Sequence, residues 1–212
     1  SEDAPMESAW RDARIARIYE GTNEINRMLS VGMLVKKAMK GHVDLLGPAM
    51  AVAEELMGIP SFDIPDYSEL FAEEKEMIAK LKKVFLMVAG AAVQKYGAEL
   101  ESHQQLLMAA SDILIEIYMA ESTILRTEKL AKKEGEDKVQ EQIAMAKLYL
   151  YHAVDIVNQK GKEGIVSFAE GDEQRMMLMG LKRFTKYTNM PNVIGLREKI
   201  AAKIISENKY AF

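Results

Sequence analysis

The stretch Trp10-Arg11-Asp12-Ala13-Arg14-Ile15-Ala16-Arg17-Ile18-Tyr19-Glu20-Gly21-Thr22-Asn23-Glu24-Ile25-Asn26-Arg27 joins two helical runs through a break at Glu20-Gly21-Thr22. Ile15 and Ile18, with Ala13 and Ala16 nearby, give the first run an apolar stripe, while Arg11, Arg14 and Arg17 line another face. Gly21 interrupts the pattern, because glycine weakens a helix and admits backbone angles that other residues resist. Thr22 is a good N-cap, and Glu24 puts a negative charge in the first turn of the next helix, Ile25 to about Lys40, where the dipole favours it. Glu20 is thereby held at a helix junction beside exposed backbone N–H groups. That is a place for proton chemistry on a carbonyl compound. On spacing alone the bland alternative weighs more, since an acidic residue at a helix end is more often a solvated cap.

The composition narrows the classes. A chain of 212 residues with 49% apolar side chains can bury one large core or two small ones. The low Pro, Gly and aromatic content speaks for helices and against a β-rich or disordered chain. The net charge of −4 comes from interspersed acidic and basic residues. This gives no polybasic surface for nucleic acid, and nothing favours association with a membrane. No cysteine is present, so disulfides, zinc–thiolate sites and thiol nucleophiles are excluded.

Outward from the break, residues 1 to 9 are polar and read as frayed, with Ser8 placed to cap the first helix. Gly41 is a stop for the second helix. His42 to Met57 reads as a third, with Pro48 in its first turn. Gly58-Ile59-Pro60-Ser61 and Ile64-Pro65-Asp66 mark a linker over about 58 to 66, whose Ile59, Phe62 and Ile64 suit packing along a surface. Four amphipathic helices follow. The first spans about Tyr67 to Leu100. The second, opened by a Ser102/Gln105 capping box, continues to about Lys133 and is closed by Gly135. An Asp137/Gln140 box opens the third, which carries Val139, Ile143, Ala146, Leu150, Ala153 and Val157. Gly161 to Gly171 reads as a turn-rich connection. Asp172 then caps the fourth helix, which runs to about Thr188, and a short helix over about Val193 to Ser206 ends the chain. One-sided stripes and short connections predict an all-α fold whose later part is an antiparallel four-helix bundle.

Other chemistries fare poorly. His42, His103 and His152 lie on separate segments, and Glu99 with His103 lacks the paired Glu-x-x-His elements of a di-iron bundle, so no metal site is expected. Gly161-Lys162-Glu163-Gly164 lacks the phosphate-loop spacing. The fifteen methionines read as plastic core filling ahead of an acyl channel.

Arg11-Asp12-Ala13-Arg14-Ile15, followed by Ile18-Tyr19-Glu20-Gly21-Thr22-Asn23-Glu24-Ile25, resembles the motif near the end of the acyl-CoA dehydrogenase catalytic core. The resemblance implies that Glu20 is the catalytic base. It also implies that Tyr19 and Gly21 lie against the acyl thioester and that Thr22, Asn23 and Glu24 lie beside FAD. Residues 1–41 would then be the last helices of the core, 42–66 a connecting helix and linker, and 67–212 a helical extension like that of the very-long-chain members. The implied reaction is α,β-dehydrogenation of a long-chain acyl-CoA in fatty-acid β-oxidation. In the family, the enolate is held by the base's own backbone N–H, here that of Glu20, and by a flavin hydroxyl. Hydride passes to the flavin, and electrons pass on to an electron-transfer flavoprotein. The implied setting is a homo-oligomer in a bacterial cytoplasm, or in mitochondria for a eukaryotic source. A C-terminal piece of such an enzyme is expected to be inactive alone. The competing reading is a non-catalytic helical module for oligomerisation or partner contacts.

Overall fold

Four long segments repeat their apolar positions at three- and four-residue spacing, and in the structure, a computed structural model, each is a helix. Residues 6–58 and 66–209 are described. The expected linker falls almost wholly outside them, with Ile59, Phe62 and Ile64, as does the aromatic C-terminus. The described elements are α1 (Met6–Ile15), α2 (Asn23–Met39), α3 (Leu46–Met57), α4 (Ala72–Tyr96), α5 (Gln104–Glu134), α6 (Gln140–Phe168), α7 (Gly171–Phe184) and α8 (Val193–Glu207). Among the described residues there is no strand.

α4 to α7 run up, down, up and down. Lys75 and Lys82 on α4 meet Glu128 and Glu121 on α5 at 2.8 and 2.6 Å, so these two helices are antiparallel. Lys147 on α6 meets Glu74 near the start of α4 (3.1 Å), and Lys95 near the end of α4 donates to the Phe168 carbonyl at the end of α6. α4 and α6 are therefore parallel. Asn158 on α6 donates to Thr185 just beyond α7 at 2.6 Å, which closes the bundle. Leu81, Val84 and Val88 of α4, Ile113 and Ile124 of α5, Leu150, Val157 and Ile165 of α6, and Leu181 of α7 are fully buried between them. Each such side chain contributes about 1.5–3 kcal/mol of burial. α8 packs on α6.

The first three helices are not a free lead-in. α2 lies antiparallel along the first half of α5, with Arg27 on Asp112 at 2.7 Å and Lys36 on Glu101 at 3.0 Å, and Val31 is buried beneath it. α3 sits in a notch formed by Gly90 of α4, which faces Ala49, and Gly180 of α7, which faces Leu56. Its first turn contains Pro48, and the Asp44 carboxylate accepts from the Gly47 amide. Gly41 ends α2 with a left-handed φ of +73°.

Several local expectations are corrected. Gly161 to Gly171 is not a turn region: α6 runs unbroken to Phe168, and Gly161 and Gly164 are buried inside it. They are contact points, since a Cβ on Gly161 would lie 2.7 Å from Leu181 and one on Gly164 would lie 3.0 Å from Val88. Neither capping box forms. Ser102 belongs to a 3-10 turn, Gly97–Ser102, and its hydroxyl donates to the Glu99 carbonyl; α5 starts after His103. A second 3-10 turn, Glu136–Lys138, precedes α6, and the Gln140 side chain donates to the Glu136 carbonyl. Asp172 lies in the first turn of α7, not at its cap, and α7 ends at Phe184. Ser8 lies within α1, and residues 6–9 are helical. The methionines are not mainly core filling: Met77, Met87 and Met177 are buried, while Met6, Met33, Met39, Met50, Met57, Met119, Met179 and Met190 are exposed.

Candidate functional site

α1 ends at Ile15 and α2 starts at Asn23. Between them the chain reverses through two consecutive left-handed residues, Glu20 (φ +57°) and Gly21 (φ +96°). The turn is closed by the Asn23 amide, which donates to the Arg17 carbonyl at 3.2 Å. Glycine suits the second position on two counts: its φ is unfavourable for any residue with a Cβ, and such a Cβ would lie 2.7 Å from the Asn26 side-chain oxygen. Asn26 holds the turn from the other side, donating through Nδ2 to the Gly21 carbonyl at 2.8 Å. Thr22 caps α2 by accepting from the Ile25 amide at 3.2 Å.

The Glu20 carboxylate is exposed, and Tyr19 and Gly21 beside it are exposed as well. Thr22 and Asn23 are half-buried at the N-terminus of α2, with Glu24 exposed on its first turn. The amides of Glu20, Gly21 and Thr22 donate to no acceptor among the described residues. These three N–H groups lie at and just before the cap of α2, where unpaired donors are available to an anionic or carbonyl oxygen. Around them lies exposed apolar surface: Trp10, Ile15 and Ile18 before the turn, Ile25, Leu29 and Met33 after it. None of the side chains of α1 is buried.

Two long-range contacts fix this turn to the bundle. The Arg27 guanidinium bonds Asp112 of α5 and reaches back to the Asn23 carbonyl at 3.4 Å, and the Ser30 and Ser111 hydroxyls meet at 2.9 Å. The sequence carries no local signal for either, because the partners lie more than eighty residues apart. Also unforeseen is an open apolar groove of about 820 Å3 between α2, α3, α4 and the start of α7, lined by Leu34, Met39, Met50, Phe85 and Met176 among others. Among the described residues no three His, Asp or Glu side chains gather in a metal-binding arrangement. His103 instead stacks on Tyr96 at 3.7 Å, and His152 bonds Arg197. No described helix is long and apolar enough to cross a membrane.

Two sequence profiles, both described as acyl-CoA dehydrogenase, C-terminal domain, match the chain, one over residues 80–183 and one over residues 1–33. A probable acyl-CoA dehydrogenase of Bacillus subtilis (strain 168) is 37% identical over 207 residues, covering 97% of this chain and 34% of the relative. The crystal structure of an acyl-CoA dehydrogenase complexed with FAD from Bacillus anthracis superposes on the whole chain with a TM-score of 0.91 at 38% identity, over 36% of its own length. The chain thus spans about a third of the length of these relatives. With profile matches over residues 1–33 and 80–183, a relative aligned over 97% of the chain and one backbone shared throughout, the chain belongs to the acyl-CoA dehydrogenase family.

Proposed function

We propose that this chain is the C-terminal helical part of an FAD-dependent dehydrogenase that oxidises the α,β-bond of a long-chain acyl-CoA, with Glu20 as the base. One observation carries the proposal: Glu20 stands on a left-handed turn between two helices, in a stretch whose Ile18 and Ile25 are exposed and whose Glu20, Gly21 and Thr22 amides have no acceptor among the described residues. The α-proton of a thioester is too weakly acidic for a solvated carboxylate. A substrate lying across Trp10, Ile18 and Ile25 would displace water from Glu20 and make it a stronger base. Glu20 would take the α-proton onto a carboxylate oxygen, and backbone N–H groups at the turn would hold the negative charge on the thioester oxygen. Tyr19 and Gly21 would flank the thioester.

The residues at the start of α2 fit FAD. Free amides just ahead of a helix N-terminus would donate to phosphate or ribityl oxygens, and Thr22, Asn23 and Glu24 add hydrogen-bonding side chains. The chemistry FAD supplies when bound is acceptance of the hydride from the β-carbon. The acyl-CoA dehydrogenase from Bacillus anthracis, solved with FAD, supports this choice of cofactor. We extend the proposal to fatty-acid β-oxidation, an electron-transfer flavoprotein as acceptor, a homo-oligomer and, from the two bacterial relatives, a bacterial cytoplasmic setting. Within it, residues 1–41 end the catalytic core, 42–66 connect, and 67–212 form a supporting extension; among the described residues the buried polar side chains are Ser111 and Thr127, both in α5. A purely non-catalytic module is the competing reading. The absorbance spectrum of the full-length protein, taken anaerobically with and without palmitoyl-CoA, separates them. Bleaching of a bound flavin supports the dehydrogenase, and a colourless protein overturns it.

A further inference from the structure

We propose that Asn26 is a positioning residue of the turn: by gripping the Gly21 carbonyl it aims the Thr22 N–H at an acceptor oxygen of a bound ligand. The inference rests on the reading of this turn as a flavin and thioester site. Among the described residues, one side-chain hydrogen bond reaches the two left-handed residues, from Asn26 Nδ2 to the Gly21 carbonyl at 2.8 Å. Glycine makes that grip necessary. With no Cβ, Gly21 is free to turn about its own bonds, and the peptide joining it to Thr22 would swing with it. That peptide is planar and trans, so its C=O and N–H point in opposite directions. Holding the carbonyl on Asn26 therefore fixes the Thr22 N–H on the far side, where it meets no acceptor among the described residues.

Asn26 is well placed to do this because its own backbone is fixed. Its amide donates to the Thr22 carbonyl at 2.9 Å in the first turn of α2. The next residue, Arg27, bonds Asp112 of α5, and Val31 one turn further on is buried. On the other side of the turn, α1 buries no side chain and offers no such anchor. The position of the Gly21–Thr22 peptide is thus passed from the bundle through α2 and the Asn26 amide. The side chain itself is exposed and belongs to no core, so its bond to Gly21 is separable from the stability of the fold. The residue type matters. A carboxylate in the same place would set an oxygen against the carbonyl oxygen and could not hold it.

Asn26→Asp in the full-length protein is the test, with Asn26→Gln, which keeps the donor, as the conservative variant. An acidic residue in the first turn of a helix is favoured by the dipole, so the thermal midpoint of Asn26→Asp is expected to move by no more than about 2 °C. The acceptor oxygen belongs either to FAD or to the thioester, and two measurements distinguish them. Titration of the apoprotein with FAD gives the cofactor affinity, and turnover with palmitoyl-CoA at saturating FAD gives kcat and KM. One of the two, FAD affinity or kcat, is expected to fall about ten-fold in Asn26→Asp, the effect of one misdirected hydrogen bond, and to recover at least in part in Asn26→Gln. Loss of affinity assigns the oxygen to the cofactor, and loss of kcat assigns it to the thioester. Wild-type values for both in Asn26→Asp, in a protein whose flavin palmitoyl-CoA still bleaches, overturn the role of Asn26 and leave the dehydrogenase reading standing. A colourless full-length protein overturns both.

Discussion

Glu20 and Phe71 are both non-glycine residues in the left-handed region, at φ +57° and +64°, but they differ in what holds them there. Phe71 is 2% exposed, and its burial fixes the backbone. Glu20 is exposed and is held by the turn around it, through the Asn23 amide on the Arg17 carbonyl and Asn26 on the Gly21 carbonyl. Gly21→Ala is expected to disorder this turn, raising amide exchange from Asn23 to Asn26, while shifting the thermal midpoint of the chain by no more than about 2 °C, because α1 buries no side chain. A fall of 10 °C would mean the turn belongs to the core. Tyr149 makes a separate prediction. Burial, then its bond to Glu116, pushes the phenol from 10.0 to about 12. The neutral phenol is the form that the fold favours, so its contribution to stability is complete below pH 10 and is lost as pH rises through about 12. An alkaline titration at the phenolate absorbance should show a late-ionising tyrosine that Tyr149→Phe removes. The break at Gly21 was legible in the sequence because glycine and a capping threonine are local signals. The left-handed Glu20 was not, since nothing in its side chain asks for that conformation.

At the scale of helices, the apolar stripes located every long element, and the errors came from reading punctuation too literally. Gly161 and Gly164 looked like a turn but thin α6 where α7 and α4 cross it. Glycine breaks an exposed helix and serves a packed one, and only the neighbours decide which. The two cases can be set against each other. Gly161→Val is expected to cost about 1–3 kcal/mol through collision with buried Leu181. Gly32→Ala in α2, where nothing lies within 4 Å, is expected to gain up to about 1 kcal/mol from helix propensity. Urea unfolding followed by circular dichroism measures both, and a stabilising Gly161→Val would refute the crossing. The capping boxes failed for a similar reason. Gly97 and Gly135, with φ of +53° and +94°, end their helices early enough for a 3-10 turn to occupy the residues that would have capped the next one.

Across the whole molecule, α2 and α3 are clasped to the bundle through α5, α4 and α7, so the turn bearing Glu20 rests on a rigid base, while α1 projects its apolar side outward. The family was legible because its resemblance rests on a continuous run of residues. The clasp was not, since Arg27 and Asp112 lie on α2 and α5, 85 residues apart in the sequence. Trp10, the sole tryptophan, is 70% exposed, so its fluorescence should barely change when the isolated chain unfolds, while helical circular dichroism collapses. A large fluorescence change would show α1 docked on the bundle. The turn's chemistry is tested by Glu20→Gln in the full-length flavoprotein, with bound FAD measured by absorbance and turnover measured with a long-chain acyl-CoA. FAD content should be unchanged and turnover should fall by several orders of magnitude; near-normal turnover in the FAD-loaded variant would remove Glu20 from the role of base.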